Sequence, residues 1–137
     1  MNLVRNVLAV VLGLVLGGAV NMLIVTFGSQ LVPPPAGVDV TDTASISASM
    51  HLYTPKHFAV PFVAHALGTL VGAAAAYFVA VSHKAVLAYI VGAAFLAGGI
   101  AASIMLPAPI WFIVLDLGLA YLPFAWLGIR LSKRIAS

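Results

Sequence analysis

The sequence predicts an all-α, polytopic membrane protein: an antiparallel four-transmembrane-helix bundle whose one long connection carries a short periplasmic interfacial helix. Three observations predict it. Of 137 residues, 64% are hydrophobic and 7% charged, and the mean hydropathy is +1.18, outside the range of ordinary soluble domains. Four apolar segments reach the ~20 residues that a helix needs to cross a ~30 Å hydrocarbon core. The basic residues cluster at one set of segment ends, the asymmetry expected of cytoplasmic loops.

The spans are residues 4–27, 58–81, 85–106 and 110–131, forming a single transmembrane domain. The first resembles a signal peptide in having Arg5 ahead of an apolar run. That run is longer than an h-region and no Ala-x-Ala site follows, so it is expected to remain as a helix. With the N-terminus inside, Arg5, Lys84, Arg130, Lys133 and Arg134 are cytoplasmic and only Lys56 is outside, which predicts an N-in, C-in topology. Tyr53, Phe58, Trp111 and Phe112 then sit at the outer interface and Trp126 at the inner one, as aromatic belts require.

Residues 28–57 form the long outer loop. Pro33-Pro34-Pro35 extends its start, and Asp42 is a suitable N-cap for a short helix over residues 43–53, ended by Pro55. Ile46, Met50 and Tyr53 recur at i, i+4 and i+7 against Ser45, Ser47 and Ser49, which predicts a lid-like helix with one apolar face. Within the spans, Gly13 and Gly17, then Ala64, Gly68, Gly72, Ala76 and Ala80, recur at fourfold spacing. Such stripes let helix backbones approach, either within the bundle or between copies in a homo-oligomer.

Composition also excludes function classes. There is no clustered basic footprint for nucleic acid, so the expected partner is the lipid bilayer. With no cysteine, disulfides and thiolate chemistry are excluded. His51, His57, His65 and Asp116 could ligate a metal, yet no HxxxH or HExxH pair fixes two ligands on one helix turn, so neither metal nor cofactor is expected. Asp39 and Asp42 are explained by capping and solvation. No catalytic triad or phosphate-binding glycine loop is present.

The chemistry converges on Asp116. It stands alone in the fourth span, where an unpaired carboxylate costs at least ~2.5–3.5 kcal/mol. Counting from the outer ends of their spans, Asn21, His65 and Asp116 all lie roughly 9 to 11 Å deep, and Gly98 and Gly99 arrive at nearly the same height. The expected pocket comprises Asn21, His65 and Asp116, with Thr69 and with His57 at a mouth bent by Pro61. An Asp beside a His fixes its tautomer and raises its basicity, making a proton acceptor. The alternative is that the polar groups merely satisfy one another as packing contacts.

The run Val32-Pro33-Pro34-Pro35-Ala36-Gly37-Val38-Asp39-Val40-Thr41-Asp42, followed by Pro55-Lys56-His57-Phe58 and His65-Ala66-Leu67-Gly68, resembles a family of small uncharacterised four-helix bacterial inner-membrane proteins. The resemblance covers most of the chain and implies a multi-pass protein of the bacterial inner membrane, but no activity. Small multidrug transporters match in size and span count, yet they rely on a Glu in the first span, which this chain lacks. Three functions remain, in order. The first is a pocket that binds or transports a small solute, ion or proton. The second is an accessory subunit packed on a membrane partner. The third is an intramembrane enzyme with His65 as general base and Asp116 as its orienter.

Overall fold

The computed structural model describes residues 1–137, and its only secondary structure is helical. Helix α1 covers Asn2–Leu31, α2 Thr43–Ala48, α3 Pro55–Val79, α4 Lys84–Met105, α5 Ile110–Leu119 and α6 Leu122–Ala136, with a 3₁₀ turn at Met50–Leu52. Four units are long and apolar enough to cross a membrane: α1, α3, α4 and the α5–α6 pair together.

Small side chains are buried and large apolar ones point outward, the reverse of a soluble protein. Only Ala9, Gly13 and Gly17 of α1 are buried, while Leu3, Val15, Met22 and Phe27 are exposed. Lipid removes the hydrophobic drive between helices, so close backbone packing must replace it. A Cβ built on Gly13 would lie 2.6 Å from the Gly72 carbonyl oxygen, and one on Gly17 the same distance from that of Gly68. Backbones this close bring Cα–H groups against carbonyls. The register falls along α3 as it rises along α1, with Gly28 reaching Val60, so these two helices run in opposite directions. Gly128 of α6 approaches the Leu70 carbonyl in the same way, at 2.6 Å, placing α3 between α1 and α6. The Ala64, Gly68, Gly72, Ala76 and Ala80 stripe is thus buried within one chain.

Polar side chains fix the ends. Asn6 Oδ1 accepts from the Val81 N–H at 3.0 Å and its Nδ2 donates to Ser82 Oγ at 2.8 Å, while Arg5 Nε donates to the Val79 carbonyl. The first turn of α1 therefore clamps the α3–α4 connection, and α3 stops at Val79 rather than residue 81. His83 caps α4 at φ 50°, a left-handed conformation uncommon for a non-glycine residue. Helix α3 begins three residues earlier than expected because Pro55 occupies N1 and Thr54 and His57 form a capping box.

Two sequence expectations need correction. The helix expected over 43–53 is shorter: Asp42 Oδ1 does cap it, accepting from the Ala44 N–H at 3.0 Å, but α2 ends at Ala48. The Ser49 N–H divides between the Ser45 and Ile46 carbonyls, which tightens the chain into the 3₁₀ turn. The fourth span is not continuous over 110–131. Pro123 has no N–H to donate to Leu119, and the helix breaks at Ala120–Tyr121 before restarting as α6. Beyond the break, α6 buries Ala125, Gly128, Ile129 and Ser132 at helical spacing and leaves Arg130, Lys133 and Arg134 exposed.

Candidate functional site

Asp116 lies at the inner face of α5 and is 5% exposed. Both of its oxygens have partners: Oδ1 is 2.8 Å from His65 Nδ1, and Oδ2 accepts from the Tyr121 hydroxyl at 3.3 Å. The sequence-based expectation of a His65–Asp116 contact therefore matches the geometry, and Asn21 makes no bond to the carboxylate. With a carboxylate accepting on both sides, the neutral imidazole carries its proton on Nδ1 and presents Nε2 as an acceptor.

Tyr121 is the member that sequence reasoning missed. In an uninterrupted helix, residues five apart point about 140° away from each other, so Tyr121 would face away from Asp116. The break before Pro123 gives Tyr121 a ψ of −79° and turns its side chain back into the bundle. Its ring stacks on His65, with centroids 5.6 Å apart and planes 23° apart, and is 3% exposed in residue terms. Gly99 makes room for it: a Cβ there would lie 2.6 Å from the Tyr121 Cζ. A Tyr two residues ahead of a span-interrupting Pro was the available signal.

A cavity of about 180 Å³ lies against this cluster, lined by Asn21 from α1, His65, Gly68 and Thr69 from α3, Phe95, Gly98, Gly99 and Ala102 from α4, and Tyr121. Asp116 is absent from the lining and sits behind His65. The His65 side chain is 27% exposed, and its Nε2 has no protein partner, yet it is not among the sealed, unpaired atoms. Asn21 Oδ1 is the one side-chain polar atom that is both buried and unpaired. The cavity thus presents one unused acceptor, His65 Nε2, backed by a carboxylate. The Phe95 ring closes its base, wedged where Cβ atoms on Gly17 and Gly72 would meet it at 2.8 and 3.0 Å.

The other expected site residues fall in different places. The Thr69 hydroxyl donates to the His65 carbonyl at 2.7 Å, so it steadies the turn that carries His65 while its side chain lines the cavity. His57 does not line it. Its Nδ1 accepts from the Thr54 N–H at 2.8 Å, which makes it a helix cap rather than a mouth residue. Ile46, Met50 and Tyr53 do not reach the cavity either. Ile46 and Met50 are half-buried, and Tyr53 packs on His57 and Phe58, where burial pushes its hydroxyl pKa up. Of the lid expected over the pocket, only Tyr53 meets α3, at its aromatic start. No third imidazole or carboxylate joins His65 and Asp116.

The fold is all-helical, with four helices long and apolar enough to cross a bilayer. No protein-family model, curated protein or solved structure matches the chain. The resemblance noted for the loop and span motifs rests on those residues alone.

Proposed function

We propose that the chain is an N-in, C-in, antiparallel four-span protein of the bacterial inner membrane, with residues 28–57 in the periplasm. Its outward-facing pocket binds or moves a small solute, ion or proton. One observation carries this reading: His65 is held at Nδ1 by a buried carboxylate while its other ring nitrogen is left to a cavity that Asn21 also lines. Asp116 supplies counter-charge when Nε2 takes a proton, and Tyr121 holds the second oxygen so that the carboxylate cannot rotate away. Thr69 steadies the His65 turn.

The accessory-subunit reading depended on small-residue stripes meeting a partner, and those stripes are occupied within the chain. The enzymatic reading shares His65 and Asp116, but no hydroxyl is set against His65 Nε2, since that of Thr69 donates to the His65 carbonyl and that of Tyr121 to Asp116. Proteoliposomes with isotope-labelled histidine test the proposal. The His65 ring resonance, assigned by its loss in His65→Gln, is expected to follow the pH on the periplasmic side, and Asp116→Asn to fold normally but lose that response. A resonance that follows only the internal pH, or neither, would overturn it.

A further inference from the structure

We propose that the ligand of this cavity is the ammonium head of an amphiphile, which reaches His65 sideways from the outer leaflet through a slot between α1 and α4. The inference rests on the pocket being a binding site and adds the chemical class of its ligand and the route of access.

The head-group chemistry follows from the lining. In the neutral imidazole, His65 Nε2 is an acceptor without a donor, so the complementary group carries N–H or O–H bonds. Charge separates the two. The groups facing His65 are Asp116 from α5 and Tyr121 from the α5–α6 break, whereas α1 and α4 contribute only Asn21, Phe95, Gly98, Gly99 and Ala102. The cavity therefore has one carboxylate behind its wall and no resident cation, because every Lys and Arg lies in the outer end of α3 or the inner turns. An anionic head is repelled, and a protonated amine finds the Nε2 acceptor, the Asp116 counter-charge behind it and the aromatic faces of Phe95 and Tyr121. At about 180 Å³ the cavity holds a compact head and has no room for a chain.

Access follows from where the helices part. α1 meets α4 where Cβ atoms on Gly13 and Gly17 would lie 2.9 Å from Val91 and 2.8 Å from Phe95. One turn beyond Phe95 the contact ends: a Cβ on Gly98 meets nothing within 4 Å, and Gly98 and Ala102 are exposed although they line the cavity. The α1–α3 seam stays closed at this level, where a Cβ on Gly68 would lie 2.8 Å from the Gly17 carbonyl oxygen and 3.1 Å from Asn21 Cβ. The opening therefore faces sideways at the depth of the apolar spans, and a chain attached to the bound head lies along it in lipid.

The test uses the full chain in phosphatidylcholine nanodiscs and reads the His65 ring nitrogens against tetradecylamine, tetradecanol, tetradecanoate and methylammonium. Tetradecylamine is expected to shift Nε2 saturably. Asp116→Asn is expected to weaken this roughly tenfold or more, the loss of the counter-charge behind Nε2. Gly98→Leu, whose Cβ meets no protein atom and whose side chain stands in the slot, is expected to abolish the shift. Amine partitioning into lipid is the same for both proteins, so it does not account for the difference. Equal binding of the alcohol or the carboxylate would overturn the ammonium assignment, and methylammonium binding as tightly, or a Gly98→Leu protein binding normally, would overturn sideways access. If no probe moves Nε2 while His65 still follows external pH, this inference falls and the pocket stands. If His65 is silent to pH as well, both fall.

Discussion

Two adjacent glycines make the clearest contrast in the molecule. Gly99 lies under the Tyr121 ring and Gly98 faces open space. Gly99→Ala is expected to push Tyr121 off Asp116 and cost roughly 1–3 kcal/mol by overpacking. Gly98→Ala should be neutral or gain up to ~1 kcal/mol, since it only replaces a helical glycine. Denaturant unfolding of the two variants in detergent measures the difference, and equal stabilities would refute the placement of Tyr121. Asp116→Asn preserves shape and both contacts in neutral form, so it should be tolerated; Asp116→Leu leaves His65 Nδ1 and the Tyr121 hydroxyl without an acceptor and should be much worse. The His65–Asp116 pairing was legible in the sequence because helix rise converts residue counts into depth. Tyr121 was not, because its direction depends on a break whose size no residue count gives.

Elements are held mainly at their ends. Asn6 joins the first turn of α1 to the Val81–Ser82 turn through both ends of its amide, a contact across 76 residues that no local pattern announces. Asn6→Ala is expected to cost about 1–3 kcal/mol by leaving those backbone and hydroxyl groups without their partner; a loss well below this would mean that water substitutes for the amide. At the other side, Asp39 accepts from the Thr41 hydroxyl and N–H, and these bonds hold its pKa below the ordinary carboxylate value. A carboxylate lowered on folding stabilises the loop above its ordinary pKa and loses that contribution as pH falls through the depressed value. Amide exchange over residues 39–46 should therefore quicken only below the usual carboxylate range, and Asp39→Asn should remove the dependence. The start of α2 was legible from Asp42. Its early end was not, since the choice between α and 3₁₀ at Ser49 rests on one shared N–H.

At the scale of the whole chain, hydropathy and small-residue spacing made the four apolar helices legible, because length and apolarity are properties of the sequence itself. Which stripe meets which was not, since Gly13 and Gly17 could equally have met a second copy. The basic residues at one set of helix ends predict that an alkaline-phosphatase fusion after α6 is inactive. An active fusion would invert the topology and turn the pocket inward. The central claim is that the cavity beside His65 is reached from the outer side, and the absence of any native cysteine permits a direct measurement. Gly98→Cys places one thiol on the cavity lining. In right-side-out vesicles a membrane-impermeant thiol reagent is expected to modify it from the outer face, and tetradecylamine to slow the reaction. A thiol that reacts only from the inner face, or with no reagent from either, would contradict an outward-facing pocket.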